Sequence, residues 1–291
     1  MKKVLIHVQV WGEYHSNLFI KKIYPNLIRL ADSEIDIPWE LVVDTDLETL
    51  PSISYIACKN VFIQPCIELS EGETDYPYVK HRESLDAICK KALAEDAVII
   101  WVHPDQFDAI GTLKTALQKI REGYRYIFMP PTRVNTEFVD EIPIMSEPRE
   151  CVSIALKHLH EMHKGCYIQS YETGGECACH PYALIAPKQD GFEIFALQGY
   201  VIALYPRQWT PTRGGTDNEV PITEWIGDFE KDVWVFEDSD QGFRVDISSK
   251  ERHHHFRHKG NNFTERMDNV LSAGFCTQHK RIFLKGFYVH T

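Results

Sequence analysis

Ala97 to Val102 is a run of six apolar residues, AVIIWV, and it follows directly on a stretch where Leu85, Ile88, Cys89, Ala92 and Leu93 recur at helical spacing. The run is far short of the roughly 20 residues needed to cross a bilayer. A strand apolar on both sides has to be covered on both faces, as in a parallel sheet enclosed by helices. A helix leading into such a strand is half of a crossover unit, which commits the chain to an α/β layout.

The same alternation extends in both directions. Val4 to Val10 reads as a first strand, and Phe19, Ile23, Leu27 and Leu30 after Gly12 line one face of a helix that Pro25 would bend. Trp39 to Val43 and Asn60 to Gln64 read as the second and third strands, and Ser84 as the cap of the helix before Ala97. Leu113, Ala116, Leu117 and Ile120 predict a further helix ended by Gly123, and Tyr124 to Met129 a fifth strand. Beyond Pro130-Pro131 the regularity weakens. Cys151 to Met162 reads as helical, Phe192 to Leu197 and Tyr200 to Tyr205 as paired strands around Gln198-Gly199, and Val233 to Phe236 as a short strand. The expected fold is a Rossmann-like, mostly parallel central sheet flanked by helices, with an α+β C-terminal elaboration.

The chain has 291 residues and a net charge of −11. Phosphate backbones are bound by displacing counterions with Lys and Arg, so an acidic chain of this kind is not expected to bind nucleic acid. Basic residues concentrate in 249–291, which holds eight Lys or Arg against three acids. That segment is the expected point of any peripheral membrane contact. Lys2 and Lys3 precede an apolar stretch, but His7, Gln9 and Glu13 interrupt it, so it reads as a strand and not as a leader. The eight cysteines are scattered, which suits free thiols in a reducing, cytoplasmic setting. Cys58 and Cys89 lie in apolar surroundings, as buried thiols do.

In an open α/β sheet, ligands bind outside the carboxyl ends of the strands. Those ends carry Gln9-Val10-Trp11-Gly12, Asp44-Thr45-Asp46, His103-Pro104-Asp105 and Pro131-Thr132-Arg133. Neither a glycine-rich dinucleotide fingerprint nor a P-loop is present. Asp105 at the end of a buried strand, followed by Asp108, offers oxygen ligands for a divalent cation beside a diphosphate; the alternative is a helix cap at Asp105 or Asp108. Asp238-Ser239-Asp240 reads either as a second acidic strand end or as a turn.

The succession VLIHVQVWGEYHSNLFIKKIYPNLIRL, WELVVDTD, HRESLDAICKKALAEDAVIIWVHPDQFDAIGTLKTAL and YRYIFMPPTRV resembles the GT-A fold of nucleotide-sugar glycosyltransferases. It is more narrowly similar to a bacterial glycosyltransferase-like group through Asp105 with Gly111 and Leu113, His180-Pro181 and Asp238-Ser239-Asp240. The likeness covers about residues 1–245. It implies a single glycosyltransferase domain over 1–248, with a nucleotide-binding half (1–135) and an acceptor and catalytic half (136–248), before the basic, His-rich segment 249–291.

The resemblance also implies roles. Gln9, Trp11, Asp44, Asp46 and His81 would meet the nucleotide. Asp105 matches the last acid of the metal-binding motif, and His103 stands where its first acid is expected. Either His103 joins Asp105 in holding Mn²⁺ or Mg²⁺, or the site works without a metal. Asp217, Glu219 and His180 are candidates for the catalytic base, since transfer with inversion deprotonates the acceptor hydroxyl. The implied activity is transfer of a hexosyl or N-acetylhexosaminyl group from a nucleotide-sugar donor to a hydroxyl of a glycan or glycoconjugate acceptor. Two alternatives stand beside it: a catalytically inactive relative that binds a glycan or partner, and a metal-dependent hydrolase.

Overall fold

The computed structural model describes residues 1–65, 76–130, 132–160, 177–178, 183–196, 200–209, 225–249, 257–258, 281 and 285–291, with side chains of 76–82 and a few strand residues left aside. The strands are β1 (Lys3–Val10), β2 (Trp39–Thr45), β3 (Val61–Pro65), β4 (Ala97–Val102), β5 (Gln106–Asp108), β6 (Tyr126–Met129), β7 (Thr132–Asn135), β8 (Cys177–Ala178), β9 (Ala183–Lys188), β10 (Gly191–Ala196), β11 (Tyr200–Leu204), β12 (Val233–Val235), β13 (Arg244–Ser248), β14 (Arg257–His258) and β15 (Phe287–His290). The helices used below are α1 (Gly12–Leu18), α2 (Tyr24–Glu34), α3 (Leu50–Ile53), α4 (Tyr76–Glu95) and α5 (Thr112–Glu122). Backbone proximity divides the chain into two compact units interleaved in sequence: Met1–Gln106, Ala116–Ile127 and Val201–Trp234, and Phe107–Thr115, Phe128–Tyr200 and Val235–Thr291. Among the described residues no helix is long and apolar enough to cross a membrane.

The first unit carries a seven-stranded sheet in the order β12-β6-β11-β4-β1-β2-β3. β1 pairs in parallel with both β2 and β4, and β2 with β3. β11 pairs with β4 antiparallel, Ala203 opposite Ile100, so the sheet is mixed. All six residues of β4 are buried, as its apolar run requires. From β1 the chain steps outward to β2 and β3, then returns through α4 to β4 on the other side of β1. Right-handed crossovers in opposite directions place α4 on one face and α1 with α2 on the other. The helix after β1 is continuous through a π-helical segment, Phe19–Ile23, where Tyr24 N–H bonds the Phe19 carbonyl five residues back. Pro25 lacks the N–H that would bond residue 21, and its ring would press on that carbonyl; the wider turn accommodates both.

Four expectations are revised. The helix before β4 begins at Tyr76, so Ser84 is an interior, buried residue and not its cap. Its first two turns lack an apolar stripe, which is why periodicity alone started the helix late. The strands around Gln198-Gly199 do not pair with each other: β10 pairs with β9 and β15, and β11 lies in the central sheet. Residues 201–204 are all buried, as suits an interior strand. Thr132 and Arg133 do not end the fifth strand but open β7, in a different sheet. Cys89 is buried as expected, whereas Cys58 is exposed.

The second unit holds two three-stranded sheets, β15-β10-β9 and β5-β13-β7, and the β14-β8 pair. β13 buries charge. Arg244, fully buried, reaches Asp108 of β5 through two hydrogen bonds, Nε to Oδ1 at 2.6 Å and Nη2 to Oδ2 at 2.7 Å. Two residues along, Asp246 sits opposite Arg133 of β7 and accepts its Nε hydrogen at 2.6 Å. Arg244 and Asp246 lie two apart and so share a face, bonding the neighbours on either side. Asp108 is thus a structural partner and not a helix cap. Breaking a buried ion pair by removing one member leaves the other charge uncompensated. Arg244→Met is therefore expected to lose about 3–5 kcal/mol of stability in urea unfolding, and adding Asp108→Leu to recover most of it.

Candidate functional site

Parallel pairing aligns the carboxyl ends of β3, β2, β1 and β4 along one edge of the first unit. The register puts Gln9 opposite Asp44, and Asp44 opposite Gln64. His7, Gln9, Asp44 and Gln64 share a face by strand alternation, and so does Trp101, which is opposite His7. α4 lies over that face. Asp44 Oδ2 accepts a hydrogen bond from His7 Nε2 at 2.9 Å and another from the Ser84 hydroxyl, and its Oδ1 accepts one from Gln64 Nε2 at 2.7 Å. The His7 ring meets the Trp101 ring edge-on at 4.8 Å.

Ser84, His7 and Asp44 are the residue types of a nucleophilic triad, but not its geometry. A triad places serine and aspartate on opposite ring nitrogens. Here Ser84 Oγ, 2.9 Å from Nε2, and Asp44 both meet the same nitrogen, and all three residues are buried. The cluster ties α4 to the ends of β1 and β2. Burial alone would raise the Asp44 carboxyl, yet it lies below its ordinary value because hydrogen bonds from His7, Ser84 and Gln64 and the charge of the imidazole outweigh desolvation.

The return of the chain from β3 to β4 makes the junction of β1 and β4 the switch point of the sheet, the place at whose carboxyl ends open α/β sheets bind ligands. After β1, Gly12 takes φ +76°, a conformation that suits glycine, and its N–H donates to Thr49 Oγ1 at 2.9 Å. Asp46 Oδ1 accepts the Thr49 N–H at 2.7 Å, so the loops after β1 and β2 are joined. After β4, the Gln106 N–H closes a turn on the His103 carbonyl at 3.0 Å, with Pro104 at its second position, where a fixed φ is favourable. This turn places Asp105 directly at the edge. Opposite it stands His15 of α1, its Nε2 3.8 Å from Asp105 Oδ2; the two side chains are 19% and 18% exposed and so open to solvent. His15 Nδ1 is 3.3 Å from the Trp11 carbonyl.

The structure thus brings Gln9, Trp11, Asp46, His103 and Asp105 to one edge and adds His15. Asp44 lies just beneath, held by three side chains. His81 falls within α4, but its side chain is outside the described residues, as are Asp217, Glu219 and His180. Asp238-Ser239-Asp240 forms a turn in the second unit: Asp238 Oδ1 accepts the N–H groups of Asp240 and Gln241 at 3.0 and 3.1 Å, and Asp240 pairs with Arg149. Trp225 is buried, and Trp209 is fixed against α4 by Asp86 at 2.9 Å and Lys90. Reading strand ends alone missed His15, because it sits in the first turn of the following helix. It also passed over His7, although a histidine inside VLIHVQV was a visible anomaly.

Among the described residues no three His, Cys, Asp or Glu side chains gather so as to hold a metal ion. Mg²⁺ and similar ions keep several waters and commonly take one or two carboxylates plus substrate phosphates. Asp105 and His103 are thus not joined by a third side chain of these types in such a cluster among the described residues.

No family model matches the chain, and no curated protein matches it in sequence. Among solved structures it is similar to a Desulfovibrio desulfuricans protein described as a nucleotide-diphospho-sugar transferase, with TM-score 0.29 and 13% identity over 45% of this chain and 59% of that one. It is also similar to a Thermus thermophilus mannose-1-phosphate geranyltransferase, with TM-score 0.31 and 12% identity over 71% of this chain and 51% of that one. A third, from Bacillus anthracis and described as a glucose-1-phosphate thymidylyltransferase, gives TM-score 0.32 and 6% identity over 95% and 98% of the two chains. The chain spans little more than half of the first two proteins. At these scores the likenesses carry no functional argument, and the mixed α/β fold stands on the sheet pairings themselves.

Asp44 gives a pH signature. A carboxyl with a depressed folded-state pKa contributes stability above its unfolded value, near 3.8, and loses it as pH falls through the folded value. The stability advantage of the native protein over Asp44→Asn, measured by urea unfolding, is expected to shrink as pH falls below about 4. An advantage that grows with acid would contradict the assignment.

Proposed function

We propose that the protein is a glycosyltransferase that moves a hexosyl or N-acetylhexosaminyl group from a nucleotide-sugar donor to a hydroxyl of a glycan or glycoconjugate acceptor, in bacterial glycan assembly. The observation that carries this reading is the His15–Asp105 pair facing across the switch point between β1 and β4, with Gln9, Trp11, Asp46 and His103 on the same edge. A switch point of that kind is where open α/β sheets bind nucleotides.

In this proposal Gln9, Trp11 and Asp46 meet the nucleoside, and Asp44 supports them from below. Asp105, with His103, would meet a Mn²⁺ or Mg²⁺ ion arriving with the donor; such an ion supplies positive charge to the leaving diphosphate. Asp217, Glu219 and His180 are the proposed sources of a base, and the basic segment 249–291 the proposed contact for an anionic, lipid-linked acceptor. A second reading, a binding protein without catalysis, is favoured by one observation: His103 stands where an acid is expected.

A thermal-shift panel of UDP-, GDP-, CDP- and CMP-sugars, with and without Mn²⁺, tests the reading. One donor at about 100 times its Kd is expected to add roughly 2.7 kcal/mol of stability, a rise of several degrees in Tm. Asp105→Ala should abolish that shift. Slow hydrolysis of the stabilising donor would distinguish an enzyme from a binding protein, and no shift with any nucleotide would remove the transferase reading.

A further inference from the structure

The His15–Asp105 pair marks the candidate site, but His15 itself has been given no contact with the donor. His15 is held from three sides. Its Nδ1 lies 3.3 Å from the Trp11 carbonyl, its Nε2 lies 3.8 Å from Asp105 Oδ2, and the Tyr14 ring packs edge-on at 5.1 Å. Both ring nitrogens thus face oxygen atoms. The Trp11 contact orients the ring so that the second nitrogen faces Asp105 in the turn after β4. The Asp105 contact is looser. At 3.8 Å it exceeds hydrogen-bond length, and both side chains touch solvent. A partly exposed contact at that separation is readily exchanged for a closer one. Hydrogen bonds from an imidazole to a phosphate oxygen are charge-assisted and short, and hence stronger.

We propose that His15 is a phosphate-contacting residue: its Nε2 leaves Asp105 for a phosphate oxygen of a bound nucleoside diphosphate, while the Trp11 carbonyl keeps the ring in place. This inference rests on the nucleotide-sugar reading and adds to it the group that recognises the anionic part of the donor. It also gives Asp105 a resident partner in the unliganded protein.

The test is a titration of the folded protein, without added metal, with uridine, UMP and UDP and with guanosine, GMP and GDP, read by calorimetry. The native protein is expected to bind the diphosphate of one base more tightly than the nucleoside. His15→Ala should weaken that diphosphate roughly 10- to 100-fold while leaving the nucleoside within about twofold. His15→Gln, whose side-chain amide offers an N–H near the position of Nε2, should recover part of the loss, and it serves as the test variant if His15→Ala does not fold. Equal weakening of nucleoside and diphosphate would make His15 a structural residue and overturn the inference, as would an unchanged diphosphate affinity. If the native protein binds no nucleoside or nucleotide in either series, nor cytidine, CMP or CDP, the nucleotide-sugar reading fails and this inference with it.

Discussion

Backbone hydrogen bonding between parallel strands is the constraint from which the rest of the first unit follows. Because β1 pairs in parallel with β2 on one side and β4 on the other, polar residues separated by nearly a hundred positions emerge at the same edge. No local sequence signal could bring Gln9, Asp46 and Asp105 together. The ladder does so without requiring any of them to interact. The switch point then arises from chain order alone, since the return from β3 to β4 turns neighbouring crossovers to opposite faces.

Burying charge has different consequences in the two units. In the first, Asp44 is surrounded by donors from β1, β3 and α4, so a carboxylate that burial would disfavour becomes a clamp on the strand ends beneath the candidate site. In the second, Arg244 and Asp246 on β13 pair with strands on either side, and guanidinium–carboxylate geometry sets the register of a sheet that also buries Phe107, Val134, Val245 and Ile247. Such pairs need not add net stability, because desolvation opposes them. Loss of one partner is costly, which specifies the pairing.

The central strands were legible because each is an apolar run of strand length bounded by turn residues, and β4 announced burial on both faces. What escaped the sequence did so for identifiable reasons. β13 alternates charge with Val245 and Ile247, so no strand was expected there; only the pairing with Asp108 and Arg133 makes its charges interior. Sequence adjacency suggested a hairpin for residues 192–205, whereas the apolar character of β11 suited an interior position in the larger sheet. Ser84 had the composition of a cap but serves as a hydrogen-bond donor to a strand 40 residues away. At the site, Asp105 and Asp46 were visible as strand-end acids. His15 became visible only through the position of α1 after β1.

The account's central claim is that a nucleotide donor occupies the switch point at the carboxyl ends of β1 and β4. Hydrogen–deuterium exchange, with and without the nucleotide-sugar that most stabilises the protein, measures this directly. The account predicts slowed exchange in the segments 11–16 and 103–106 that flank the switch point. Protection confined to other segments, or no protection with any nucleotide-sugar, would contradict it.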